Sequence, residues 1–196
     1  MKKVFALTLI PTLALLANIG TAADGHDHHH QHEAHEHHEN HENDDHAKEH
    51  EAHGAHEHGV AHLDTVLEKN QAHIALRSPA ANIVGFEHHP QNDEQHVSVN
   101  RAMQTLQSPE LFRFVGSECR LVEAHIETEL LDENSQGHSD FEVEYSFKCS
   151  DTSVISSIET ALFQHFPGIE HLQVQFIKGT RQGAAHLTSD NPVLRF

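Results

Sequence analysis

The sequence predicts an α+β fold: two similar small strand–strand–helix subdomains around a mainly antiparallel sheet, preceded by a disordered histidine-rich tail. Three observations predict it. Residues 24–58 hold 14 His and 11 Asp or Glu but no Val, Ile, Leu, Met or aromatic residue, so that stretch buries nothing to offset its conformational entropy. From Gly59 onward, apolar and polar residues alternate over runs of strand length. Each of the two alternating pairs is then followed by apolar residues at helical spacing.

Residues 1–23 read as a signal peptide. Met1-Lys2-Lys3 gives a positive start, Val4–Ala17 is an almost uncharged apolar run, and Thr21 and Ala23 are small residues at the −3 and −1 positions of a cleavage site after Ala23. The run is shorter than the roughly 20 residues that span a bilayer. An exported, cleaved protein without membrane insertion is expected, which in a two-membrane bacterium means the periplasm. Cleavage removes two lysines and leaves 10 basic against 30 acidic residues, a net charge of −20. That charge argues against nucleic acid and anionic membranes as partners, since both are polyanions.

The tail of residues 24–58 predicts metal binding. Its donors are His26, His28, His29, His30, His32, His35, His37, His38, His41, His46, His50, His53, His56 and His58. Neutral imidazole suits zinc, copper and nickel, and the interspersed carboxylates complete coordination shells. His-x-His spacings such as His26/His28, His35/His37 and His56/His58 chelate locally. A flexible chain also combines distant rings, so many overlapping sites are expected rather than one. Protonation of imidazole, with an ordinary pKa near 6.5, should release the metal toward pH 5.

The first subsidiary unit is assigned to residues 59–116. Leu63, Thr65 and Leu67, then Ala72, Ile74 and Leu76, alternate about the polar turn 68–71, predicting a hairpin. Residues 78–90 read as a loop with a short apolar insert. Val99, Ala102/Met103 and Leu106 predict a helix near 93–107 that ends before Pro109, with Leu111, Phe112, Phe114 and Val115 anchoring its exit.

The second unit is assigned to residues 117–196. Val122, Ala124, Ile126, Thr128 and Leu130 alternate, as do Phe141, Val143, Tyr145 and Phe147, about a polar turn at 132–139. Ser150/Asp151 reads as an N-cap, with Ile155, Ile158, Leu162 and Phe166 on one helix face and Pro167-Gly168 as its stop. Leu172, Val174 and Phe176 predict a further strand, with short ones at 184–188 and 193–196. Cys119 and Cys149 begin and end the second hairpin, and in an exported chain such a pair predicts a disulfide.

Within the folded part, Glu87, His88 and His89 form the first candidate site, because adjacent donors in a Gly- and Pro-flanked loop can converge. His56 and His58 stand where tail becomes strand and could pass metal to a preformed site. His62, His73, His125, His165, His171 and His186 are scattered singly and read as structural or solvent-facing, with His125 on the polar side of its strand. No HExxH, G-x-S-x-G or phosphate-binding glycine loop is present. Glu123-x-His125 is too little for a hydrolytic zinc centre, so no enzyme is expected.

Several stretches together resemble a known family. They are His56-Glu57-His58-Gly59-Val60-Ala61-His62-Leu63, Ser78-Pro79-Ala80-Ala81-Asn82-Ile83-Val84-Gly85-Phe86-Glu87-His88, His138-Ser139-Asp140-Phe141, Phe166-Pro167-Gly168-Ile169-Glu170 and Asn191-Pro192-Val193-Leu194. The set resembles the ZrgA family of periplasmic zinc-binding proteins associated with zinc uptake. The resemblance implies Zn2+ as the bound ion, two similar α/β subdomains, and a zinc uptake transporter or its periplasmic components as partner. It also raises His138, which precedes a strand in a resembling motif, as a metal ligand. The expected function is a monomeric periplasmic protein that captures and concentrates zinc for uptake. The alternatives are a passive buffer against excess zinc, copper or nickel and, further off, a zinc-dependent hydrolase.

Overall fold

A computed structural model of the chain describes residues 57–133 and 137–196. The signal-peptide segment and the tail ligands from His26 to His56 lie outside the described residues.

The first hairpin forms as its alternation predicts. Strands β1 (Val60–Glu68) and β2 (Gln71–Pro79) pair antiparallel through a two-residue turn at Lys69-Asn70. Ala61, Leu63, Thr65 and Leu67 face inward with Ala72, Ile74, Leu76 and Ser78. Lys69 takes a left-handed φ of 54°, and the segment after β5 secures the turn. Cys149 N–H donates to Asn70 O at 2.9 Å, and Thr152 Oγ1 donates to Lys69 O at 2.7 Å.

The following loop is more structured than its composition suggests. Ser78 and Pro79 still belong to β2, and Ala80–Val84 forms a short helix, α1. Gly85 ends it at φ 87°, its N–H returning to Ala81 O at 3.0 Å. Helix α2 (Asp93–Leu106) starts at Asn92, whose side chain accepts the Gln95 N–H at 3.0 Å. Asp93 and Glu94 lie in its first turn, where the helix dipole favours them, and Val99, Ala102 and Leu106 are its buried stripe. A 3-10 turn at Pro109–Leu111 leads into β3 (Phe112–Val115).

Strands β4 (Cys119–Thr128) and β5 (Asp140–Cys149) form the second hairpin, with Cys119 and Cys149 as direct partners joined by a disulfide. One detail of the alternation is corrected. A bulge between Leu121 and Glu123 leaves Val122 unpaired and 59% exposed, because the extra residue shifts the strand's phase so that Ala124 and Ile126 turn toward the core.

The second long helix does not form. Its residues make β6 (Ser157–Thr160) and the four-residue α3 (Leu162–His165). Ile155, Ile158, Leu162 and Phe166 are all buried as the helical stripe requires. However, β6 uses its backbone groups to bridge β3 and β9 (Val193–Arg195) in a small three-stranded sheet. Asp151 caps a turn instead, accepting the Ser153 N–H at 2.8 Å. In residues 117–196 a third strand thus stands between the hairpin and the short helix.

Strands β7 (His171–Lys178) and β8 (Arg181–Thr188) complete a six-stranded sheet of order β4-β5-β2-β1-β7-β8. All its pairs are antiparallel except β1 with β7. The hairpin from residues 59–116 is thus flanked on both sides by strands from 117–196. One face of this sheet contributes to the core; the other is an open concave surface over Asp64, Arg77, Glu142, Glu144, Gln173 and Gln175. No described helix is long and apolar enough to cross a membrane.

Candidate metal site

The site is assembled around the start of β1. Asn82, buried in α1, accepts the Gly59 N–H on Oδ1 at 2.8 Å and donates through Nδ2 to Val60 O at 2.9 Å. A buried amide satisfied in this way fixes the backbone that carries His58. On the far side, Ala80 N–H donates to Ser139 O at 2.8 Å, holding the segment that carries His138 against the same helix.

Between these two anchors lies Glu87, just beyond α1. Its side chain is only 9% exposed, while those of His58 and His138 are 65% and 68% exposed. His58 Nε2 meets Glu87 Oε1 at 3.1 Å, and His138 Nδ1 contacts Oε2. One carboxylate thus holds two imidazoles, one on each oxygen. A carboxylate that accepts from one ring nitrogen fixes the tautomer and turns the other nitrogen outward, the relation usual behind a metal-binding histidine. With Nε2 of His58 on Glu87, its Nδ1 is the nitrogen turned away from the carboxylate.

The structure groups some sequence candidates and separates others. His88 and His89 do not join Glu87. His88 Nδ1 lies 2.9 Å from His89 O, and its ring stacks on Phe86 at 5.2 Å. His89 turns toward His96, with ring centroids 6.1 Å apart. His73 pairs with Ser146 at 3.3 Å and His125 with Glu127 at 3.0 Å. Among the described residues, no three His, Cys, Asp or Glu donors already form a metal cage. The Glu87 cluster is two imidazoles oriented by one carboxylate.

Sequence reasoning named Glu87, His58 and His138 individually but not as one group, because they lie 29 and 51 residues apart. The pairing of His171 with His186, whose ring centroids are 4.9 Å apart, was missed. The register of a two-residue turn at Gly179-Thr180 was the signal that could have found it.

The model of the ZrgA family of zinc uptake proteins matches residues 55–196. The chain belongs to the ZrgA family. No curated protein matches it significantly. In this ZrgA member the matched region takes in His58, Glu87, His138 and both cysteines, whereas tail ligands His26 to His53 precede it. The match covers every described residue, and the family is one of zinc uptake proteins.

Proposed function

We propose that this ZrgA protein captures zinc in the periplasm and concentrates it for an uptake transporter, without catalysing a reaction. The observation that carries this reading is Glu87, which holds His58 and His138 from separate segments of the chain. The histidine-rich residues 24–56 supply many weaker ligands upstream, and His58 is the last histidine before the first strand. Zinc gathered by the tail passes through His56 and His58 to the Glu87 cluster. Two exposed imidazoles on one carboxylate suit capture and release better than a closed four-ligand site does.

The test is a zinc titration of the mature chain beginning at Asp24, with and without Glu87→Ala, in the presence of a competing chelator. Glu87→Ala should lose the tightest binding event and keep the weaker ones. An isotherm identical to that of the unchanged chain overturns the site. A deletion strain should grow poorly under zinc starvation. Sensitivity only to zinc excess would make the protein a buffer instead.

A further inference from the structure

We propose that His171 and His186 form a second site for an imidazole-seeking divalent cation, separate from the Glu87 cluster. The two residues lie on β7 and on the edge strand β8. Register sets His171 opposite Thr188 and Gln173 opposite His186, so the imidazoles are diagonal neighbours on one face of the sheet. Their centroids are 4.9 Å apart with planes inclined by 33°, and both residues are exposed. A zinc ion about 2.1 Å from one nitrogen of each ring, at a near-tetrahedral angle, keeps the centroids roughly 5 Å apart. The observed spacing already meets that requirement. Among the described residues, neither ring has a hydrogen-bond or ion-pair partner that would occupy its nitrogens.

The surroundings connect the pair to the metal-collecting part of the chain. His171 N–H donates to Gly59 O at 2.9 Å, and Val60 is the strand partner of His171. The pair therefore flanks the point where the histidine-rich sequence joins the fold, with His58 one residue away from Gly59. The local sequence also echoes the first site: Gly168-Ile169-Glu170-His171 repeats the pattern of Gly85-Phe86-Glu87-His88. Two protein nitrogens leave coordination positions for water or an incoming imidazole, so this is an exchanging station and not a closed structural site. Zinc, copper(II) and nickel share the ligand chemistry, and zinc is the probe.

The experiment modifies the full mature chain with diethyl pyrocarbonate, with and without zinc, and reads each histidine by peptide mass spectrometry. Zinc should protect His171 and His186 together, severalfold, while His125 on the same sheet face stays reactive. His171→Asn should abolish protection of His186 and leave that of His58 and His138 intact; Glu87→Gln should do the reverse. Both residues are exposed, and an unchanged circular dichroism spectrum verifies that His171→Asn folds. Equal protection of His186 in His171→Asn, or no protection of either ring in the unchanged chain, overturns the proposal. Protection of His171 and His186 with none at His58 and His138 sustains it while sinking the Glu87 reading.

Discussion

Asn82 and Gly59 are joined by a 2.8 Å hydrogen bond that ties α1 to the start of β1. The same side chain also donates to Val60 O and Ser78 Oγ. Asn82→Ala leaves a buried N–H and carbonyl without partners, which should cost about 2–3 kcal/mol. Because Asn82 bonds to Gly59, Val60 and Ser78 and not to the His58 or Glu87 side chain, a loss of zinc affinity would report positioning. Urea unfolding and zinc titration of the same variant check both effects. Unchanged affinity would show that His58 does not need this anchor.

Gly168 approaches the other side of Asn82. A Cβ built on it would stand 2.5 Å from Asn82 O and 2.9 Å from its Cα, both backbone atoms with little room to yield. Gly168→Ala should therefore destabilise by about 1–3 kcal/mol through overpacking. It should also weaken zinc binding, since the strain falls on the helix that precedes Glu87. Thermal melts with and without zinc make the comparison. Wild-type stability would mean that α1 moves freely at that contact.

The hairpins were legible because one face of each strand is buried, which makes register visible as alternation. Helix α2 was legible through its stripe and its stop before Pro109. The stretch 155–166 was not, because Ile155, Ile158, Leu162 and Phe166 are buried equally well by a strand followed by one helical turn. Only the backbone partners of β6, supplied by β3 and β9 far away in the chain, decide between them. The grouping of the candidate residues was hidden in a similar way. Glu87, His58 and His138 were each recognisable by chemistry, but their convergence depends on the Asn82 and Ser139 contacts. His88 and His89 looked better because they are adjacent, yet each finds a separate neighbour.

The disulfide closes a loop of 30 residues between Cys119 and Cys149. Constraining that loop in the unfolded chain contributes about 3–4 kcal/mol. The double variant Cys119→Ser/Cys149→Ser should melt roughly 10 °C lower. The end of the β4–β5 hairpin should loosen first, and with it the contacts to the Lys69-Asn70 turn. Scanning calorimetry with hydrogen exchange tests this. A melting temperature within a degree or so of the disulfide-bonded chain would place the stability elsewhere.

Tyr145 sets the alkaline limit of the fold. It is 1% exposed, edge-on to Phe112 at 5.1 Å, and its hydroxyl has no hydrogen-bond partner among the described residues. Burial pushes its phenol well above the ordinary range, because the phenolate would lose its hydration. In the unfolded chain it ionises near pH 10. Above that pH the unfolded state binds fewer protons than the folded one, so stability is full below it and falls as pH rises toward the folded value. Tyr145 is the sole tyrosine and tryptophan is absent, so phenolate absorbance reports this residue alone. The absorbance should stay flat past the ordinary tyrosine range and then rise together with unfolding. Tyr145→Phe should remove that part of the alkaline slope and, by deleting an unpartnered buried hydroxyl, stabilise the neutral protein by about 1 kcal/mol. A smooth titration near pH 10 in the still-folded chain would mean that the hydroxyl reaches water.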